Sequence, residues 1–284
     1  MDNRPGTRRR RGNAFYADSA RAALGVGGEV HSLADVPLPL VHTALGIAVC
    51  AVVVALRPQV LGLRESVTVC GSLALLTALT LTLYDRLVYG RDLRHALAAT
   101  FLPLAAIGAF VAVLAGTGDL MLRLPAGLVA ALVVGGIPHL GGLRAAGREG
   151  MVTRLLRDGT GVVVLAPLLL AAYNSTLSTA TSAALAGGSV LLVSADALLT
   201  EELHARVAVA GAGLIAAIMA GLVFVLPSGG RDTVRVGLLL VVWYGLRGLV
   251  GASFSRSRTR GLVIEYAMFV AVAAGVIVAR SVRG

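Results

Sequence analysis

Apolar residues run along this 284-residue chain in about nine stretches separated by short polar loops. Each stretch is near the ~20 residues that a helix needs to cross a bilayer. The stretches fall at approximately 39–57, 66–84, 96–115, 121–142, 160–175, 180–200, 205–226, 233–253 and 262–280. The pattern predicts an all-α fold, a polytopic transmembrane helix bundle of about nine spans. The weakest division lies between the fifth and sixth stretches, where Asn174, Ser175, Thr176, Ser178 and Thr179 signal a turn without any charge. A turn placed within the membrane would make these two a re-entrant pair of half-length segments and lower the count to seven, so the expected range is seven to ten.

Residues 1–36 read differently, as a polar basic arm with one helical candidate at 13–24, whose thin apolar face is Phe15, Ala22 and Leu24. The run Val36-Pro37-Leu38-Pro39 then stiffens the entry to the first span, because proline suits a helix start and not its interior. The expected organisation is a cytoplasmic basic arm, 1–36, followed by a transmembrane helical domain, 37–284. Pro103, Pro138 and Pro167 fall inside spans, where kinks are expected.

Charge sets the orientation. The chain has 25 arginines, no lysine and a formal net charge of +10, with only 14% charged residues against 57% hydrophobic. With the N-terminus inside, 18 arginines fall on the inner side and 7 on the outer, and the inner excess survives removal of the arm's six. Positively charged loops stay in the cytoplasm, so the expectation is N-in and, for nine spans, C-out. Four consecutive arginines, Arg8, Arg9, Arg10 and Arg11, make the arm a surface for anionic lipid headgroups. Lysine's absence excludes a P-loop and any Schiff-base cofactor. Aromatic residues, at 5%, are too few for a basic face that reads nucleic acid.

Several polar positions inside or beside the apolar stretches are candidates for chemistry. The inner end of the eighth stretch and the start of the ninth bring Trp243, Tyr244, Arg247, Ser253, Glu265 and Tyr266 close in sequence. A guanidinium at that depth needs a partner or a wet cavity, and the returning helix offers Glu265, so an Arg247–Glu265 ion pair is expected. The plainer alternative has Arg247 snorkelling to the interface beside an aromatic belt of Trp243 and Tyr244. Asp196 stands with Thr200, Glu201, Glu202 and His204 near the inner end of the sixth stretch, where a loop-edge salt bridge competes with a proton or cation site. His42 and His139 are single histidines in apolar stretches, read as packing residues, although a pair across helices can ligate haem or carry protons.

Other motifs are incomplete. Asp85 and Asp92 lack the two DxxxD motifs of membrane prenyltransferases, and Ser189 lacks the GxSG frame of an intramembrane protease. Cys50 and Cys70 have no paired ligand at metal spacing. No metal site, catalytic residue or cofactor is expected. Small residues recur every four positions, at Gly127, Ala131 and Gly135 and again at Gly213, Ala217 and Gly221, and mark faces for close helix packing, expected within the chain.

The proline-flanked first span, Tyr84-Asp85 closing the second, and Trp243-Tyr244-Gly245-Leu246-Arg247-Gly248 followed by Glu265-Tyr266 resemble a family of uncharacterised multi-pass proteins from high-GC bacteria. That resemblance implies a bacterial inner (cytoplasmic) membrane location and carries no activity with it. The function expected from the residues is a non-catalytic interaction or scaffold subunit, embedded in the lipid bilayer beside a membrane protein partner. The alternatives are a small-molecule or ion transporter and an inner-face lipid-modifying enzyme. A closed, dry bundle favours the first, a buried polar cavity at mid-membrane the second, and a carboxylate–histidine cluster facing an inner-leaflet groove the third.

Overall fold

The computed structural model of the chain describes residues 39–55, 63–90, 92–114, 120–140, 151–173, 177–200, 205–226 and 232–254, and 264, 266–268, 271, 272 and 275 beyond them. The arm with Arg8 to Arg11, and Glu201, Glu202, His204 and Glu265, lie outside the described residues. The helices are α1 (Leu40–Ala55), α2 (Leu63–Leu87), α3 (Leu93–Ala98), α4 (Phe101–Leu114), α5 (Leu120–Ala131), α6 (Met151–Ala172), α7 (Thr179–Thr200), α8 (Ala205–Val225) and α9 (Asp232–Phe254). A π-helical turn, Leu132–Gly136, carries α5 on to Leu140. Among the described residues there is no strand, and six helices are long and apolar enough to cross a membrane.

Two boundaries differ from the hydropathy reading, each for a physical reason. The fifth helix starts at Met151 and not near 160, so Arg157 and Asp158 lie within α6 and not in a loop. Their charges depress the local hydropathy, which hides a helical turn from any window average. Helices α6 and α7 are each 22 residues, or about 33 Å at 1.5 Å per residue, twice the reach of a re-entrant segment. The third stretch is broken at Ala99 and Thr100. Pro103 has no N–H to offer the carbonyl of residue 99 and its ring crowds that carbonyl, so the chain pauses there. The Thr100 backbone N–H and hydroxyl both turn back to the Leu97 carbonyl, at 3.0 and 2.7 Å. The bend therefore precedes Pro103, which itself sits in the first turn of α4.

Helix α7 is the centre of the bundle, packed by α4, α6, α8 and α9. From Val193 to Leu198 every one of its residues is buried, whichever face it occupies. On the far side of α4, α1 lies along α5, and α2 leans on α3, α4 and α1 with most of its leucines exposed. Gly90, at φ 61°, ends α2 in the left-handed region that glycine adopts without penalty.

The α1–α5 contact is set by small residues in matched register. A side chain at Gly127 would meet Cys50, one at Gly46 would stand 2.9 Å from the Ala131 carbonyl oxygen, and one at Gly135 would stand 2.7 Å from the His42 carbonyl oxygen. Positions 50, 46 and 42 thus oppose 127, 131 and 135, an antiparallel crossing with a four-residue step on both helices. On an ideal α-helix a four-residue stripe drifts about 40° per step. The π turn at Leu132–Gly136 holds more residues per turn and takes up that drift, which keeps Gly135 against α1. The second small stripe behaves otherwise. Ala217 and Gly221 are exposed, and nothing among the described residues approaches Gly213 or Gly221, so the packing expected within the chain is not made there by any described residue. The buried face of α8 is instead Ala208, Gly211, Ala212, Ile215, Ala216, Met219 and Val223.

Candidate functional site

Two groups of polar side chains are buried in the bundle. The first joins α6, α7 and α9. Arg157 directs one terminal nitrogen at both oxygens of Asp196, at 3.2 and 3.1 Å, and Arg247 donates to Asp158 Oδ1 at 2.6 Å. Residues 157 and 158 are consecutive, so they leave α6 about 100° apart, one toward α7 and the other toward α9. The start of α6 is thereby tied to the ends of both neighbours. One turn from Arg247, Trp243 is fully buried and its indole Nε1–H donates to Ser194 Oγ at 2.9 Å. The indole fits because Gly161 has no side chain: a Cβ there would sit 3.1 Å from the ring.

These residues other than Ser194, with Leu102, Val193 and Ala197, surround a cleft with room for about one water molecule. Asp196 and the Arg247 guanidinium are largely shielded, while Asp158 keeps a third of its side chain exposed. Two cations and two anions balance, and the pairing keeps a guanidinium and a carboxylate in a place where an isolated charge would be prohibitively costly. The arrangement can hold three helices in register; its space and its mutually engaged charges leave no volume for an organic substrate.

Of the residues expected from sequence, Trp243, Arg247 and Asp196 are brought together here. The partner shown for Arg247 is Asp158, while Glu265, expected to serve it, lies outside the described residues. Tyr244 is 38% exposed and takes no part in this group. Asp196 is not held at a loop edge; Arg157 of α6 answers it. Sequence reasoning missed Arg157, Asp158 and Ser194. The available signal was the adjacent opposite charges Arg157-Asp158 just before an apolar run, which suits two helix contacts better than a loop.

The second group joins α1, α2 and the end of the α5 segment. His42 is fully buried, with its ring 4.7 Å from that of Tyr84 in an edge-to-face contact and 6.1 Å from that of His139. Tyr84 in turn stands edge-on to Tyr89 at 5.6 Å. Both nitrogens of His42, Nδ1 of His139, and the hydroxyls of Thr77 and Thr82 on α2 are buried without a hydrogen-bond partner. Asp85, buried on the same turn of α2 as Tyr84, completes the polar set. Among the described residues no three His, Cys, Asp or Glu side chains gather closely enough to hold a metal ion together. Ser189 donates to the Leu185 carbonyl at 2.7 Å in its own helix.

No family model matches the chain, and no curated protein or solved structure matches it either.

Proposed function

We propose that this chain is a multi-pass protein of a bacterial cytoplasmic membrane, with about nine spans and its N-terminus inside, that works without catalysis of its own as a scaffold or interaction subunit. One observation carries the reading: Arg157 with Asp196 and Arg247 with Asp158 form two ion pairs that join α6, α7 and α9 around a cleft with room for about one water molecule. A cleft of that size supports a bundle that acts through its outer surfaces. The arginine asymmetry supports N-in. In a chain whose successive helices alternate in direction, both polar groups then lie at the cytoplasmic end, the side on which Arg8 to Arg11 meet anionic headgroups. The likeness to uncharacterised membrane proteins of high-GC bacteria agrees with this location.

Thiol accessibility tests the reading. With Cys50 and Cys70 replaced by alanine, Ala197→Cys in sealed vesicles of either orientation is expected to resist a membrane-impermeant maleimide. Labelling from either side, changing with an imposed proton or sodium gradient, would instead establish an opening pathway. The transporter reading would then take over, with Arg157–Asp196 and Arg247–Asp158 as its gate. Reporter fusions check the topology: one after Gly12 and one near Arg148 are expected to report cytoplasm, and one at the C-terminus the outside.

A further inference from the structure

The histidine group is built more tightly than packing alone requires. His42 and His139 come from helices 97 positions apart in sequence, yet the α1–α5 crossing is closest at the turn that bears His42, where Gly135 admits the His42 carbonyl. The π turn ends three residues before His139, and such turns occur often at functional positions. A neutral imidazole offers one N–H and one lone pair. Here three ring nitrogens of the two side chains are buried with neither used. Apolar residues would fill the same space without that penalty.

We propose that His42 and His139 together bind one copper(I) ion between their rings. Each ring nitrogen lies about 1.1 Å from its ring centre, so centroids 6.1 Å apart leave about 3.9 Å between facing nitrogens, nearly twice a metal–imidazole bond of ~2.0 Å. The site requires each ring to present a nitrogen along the line between the two centres; rotation about the Cβ–Cγ bond changes which ring atoms lie there while leaving the centroid nearly in place. That separation requires an almost straight N–metal–N angle. A tetrahedral zinc ion would draw the nitrogens to about 3.3 Å and demand two further ligands, and no third His, Cys, Asp or Glu joins the pair among the described residues. Imidazole suits copper, and straight two-coordination is the habit of its d10 monovalent ion. The buried Asp85 carboxylate, on the turn that carries Tyr84 against His42, sets a negative charge at the same end of the bundle. The ion clasps α1 to α5 at the turn where their backbones already meet. This site does not depend on the scaffold reading, since a clasp serves a scaffold and a way-point serves a transporter.

The test is an anaerobic titration of the full chain in detergent with copper(I), in competition with a chromogenic copper(I) chelator, followed by X-ray absorption on the loaded protein. One ion per chain is expected, with two nitrogen scatterers near ~2.0 Å and no sulfur. His42→Ala and His139→Ala should each weaken binding by roughly tenfold or more, while Cys50→Ala with Cys70→Ala should leave it unchanged. A sulfur shell, undiminished binding in the double histidine variant, or no binding at all would overturn the proposal. The absorption spectrum of the unaltered chain needs no variant, so it decides even if a histidine substitution prevents folding.

Discussion

The two buried polar groups differ in what their side chains have found. Among α6, α7 and α9 each carboxylate meets a guanidinium and the indole meets a hydroxyl, and the one fully buried side-chain atom of these residues without a hydrogen-bond partner is Arg157 Nε. Among α1, α2 and α5 the imidazoles and threonine hydroxyls are equally buried and unanswered. Buried polar groups are ordinarily satisfied, and those that are not call for an explanation. The first group therefore explains itself as a helix tie, whereas the nitrogens and hydroxyls of the second meet no partner among the described residues.

The comparison breaks most visibly if one partner of a tie is removed. Asp196→Ala strands Arg157 in the bundle and is expected to cost about 3–5 kcal/mol. Thermal unfolding in detergent should show Arg157→Ala with Asp196→Ala well short of the sum of the single changes; strict additivity would mean that the pair does not form. Next in size is Gly135→Val, which places atoms against the His42 carbonyl and should cost about 1–3 kcal/mol through displacement of α1. An unchanged melting temperature would show that the α1–α5 crossing is wider than described.

The opposite sign is expected in the histidine group. His42→Leu in metal-free protein removes unanswered nitrogens and should leave stability unchanged or raise it by about 1 kcal/mol, where the same kind of apolar replacement at Asp196 destabilises. A loss as large as that of Asp196→Ala would mean that His42 is already fully satisfied, and the contrast between the groups would disappear. The smallest effect belongs to Gly213→Ala, which meets nothing among the described residues and should stay within about 0.5 kcal/mol. A larger loss, growing with dilution of the protein in detergent, would assign that stripe to a contact between chains.

The helical class and most of the span limits were legible because an apolar stretch of bilayer length leaves the backbone one way to satisfy its own hydrogen bonds, a helix. Trp243, Arg247 and Asp196 were legible as costly positions for the same reason: charge and large amphipathic rings within such stretches need an explanation. The small residues at 127, 131 and 135 likewise announced a contact face. What the sequence by itself determined, then, is the set of helices and the list of residues that require partners.

Which partner each one takes was decided only by the tertiary structure. Arg247 reaches Asp158, 89 positions earlier, and not necessarily the carboxylate of the next helix, because α6 lies against α9 and presents its charged first turns there. Two stripes with the same four-residue spacing part company, one locked on α1 and the other unmet among the described residues, since spacing defines a helix face and says nothing about what stands opposite. His42 and His139, each unremarkable alone, become a pair because glycines on both helices let the backbones touch and a π turn holds the register. Periodicity is local and reports one helix at a time; the meeting of side chains depends on how far two backbones can approach, and that is set by all the residues between them at once.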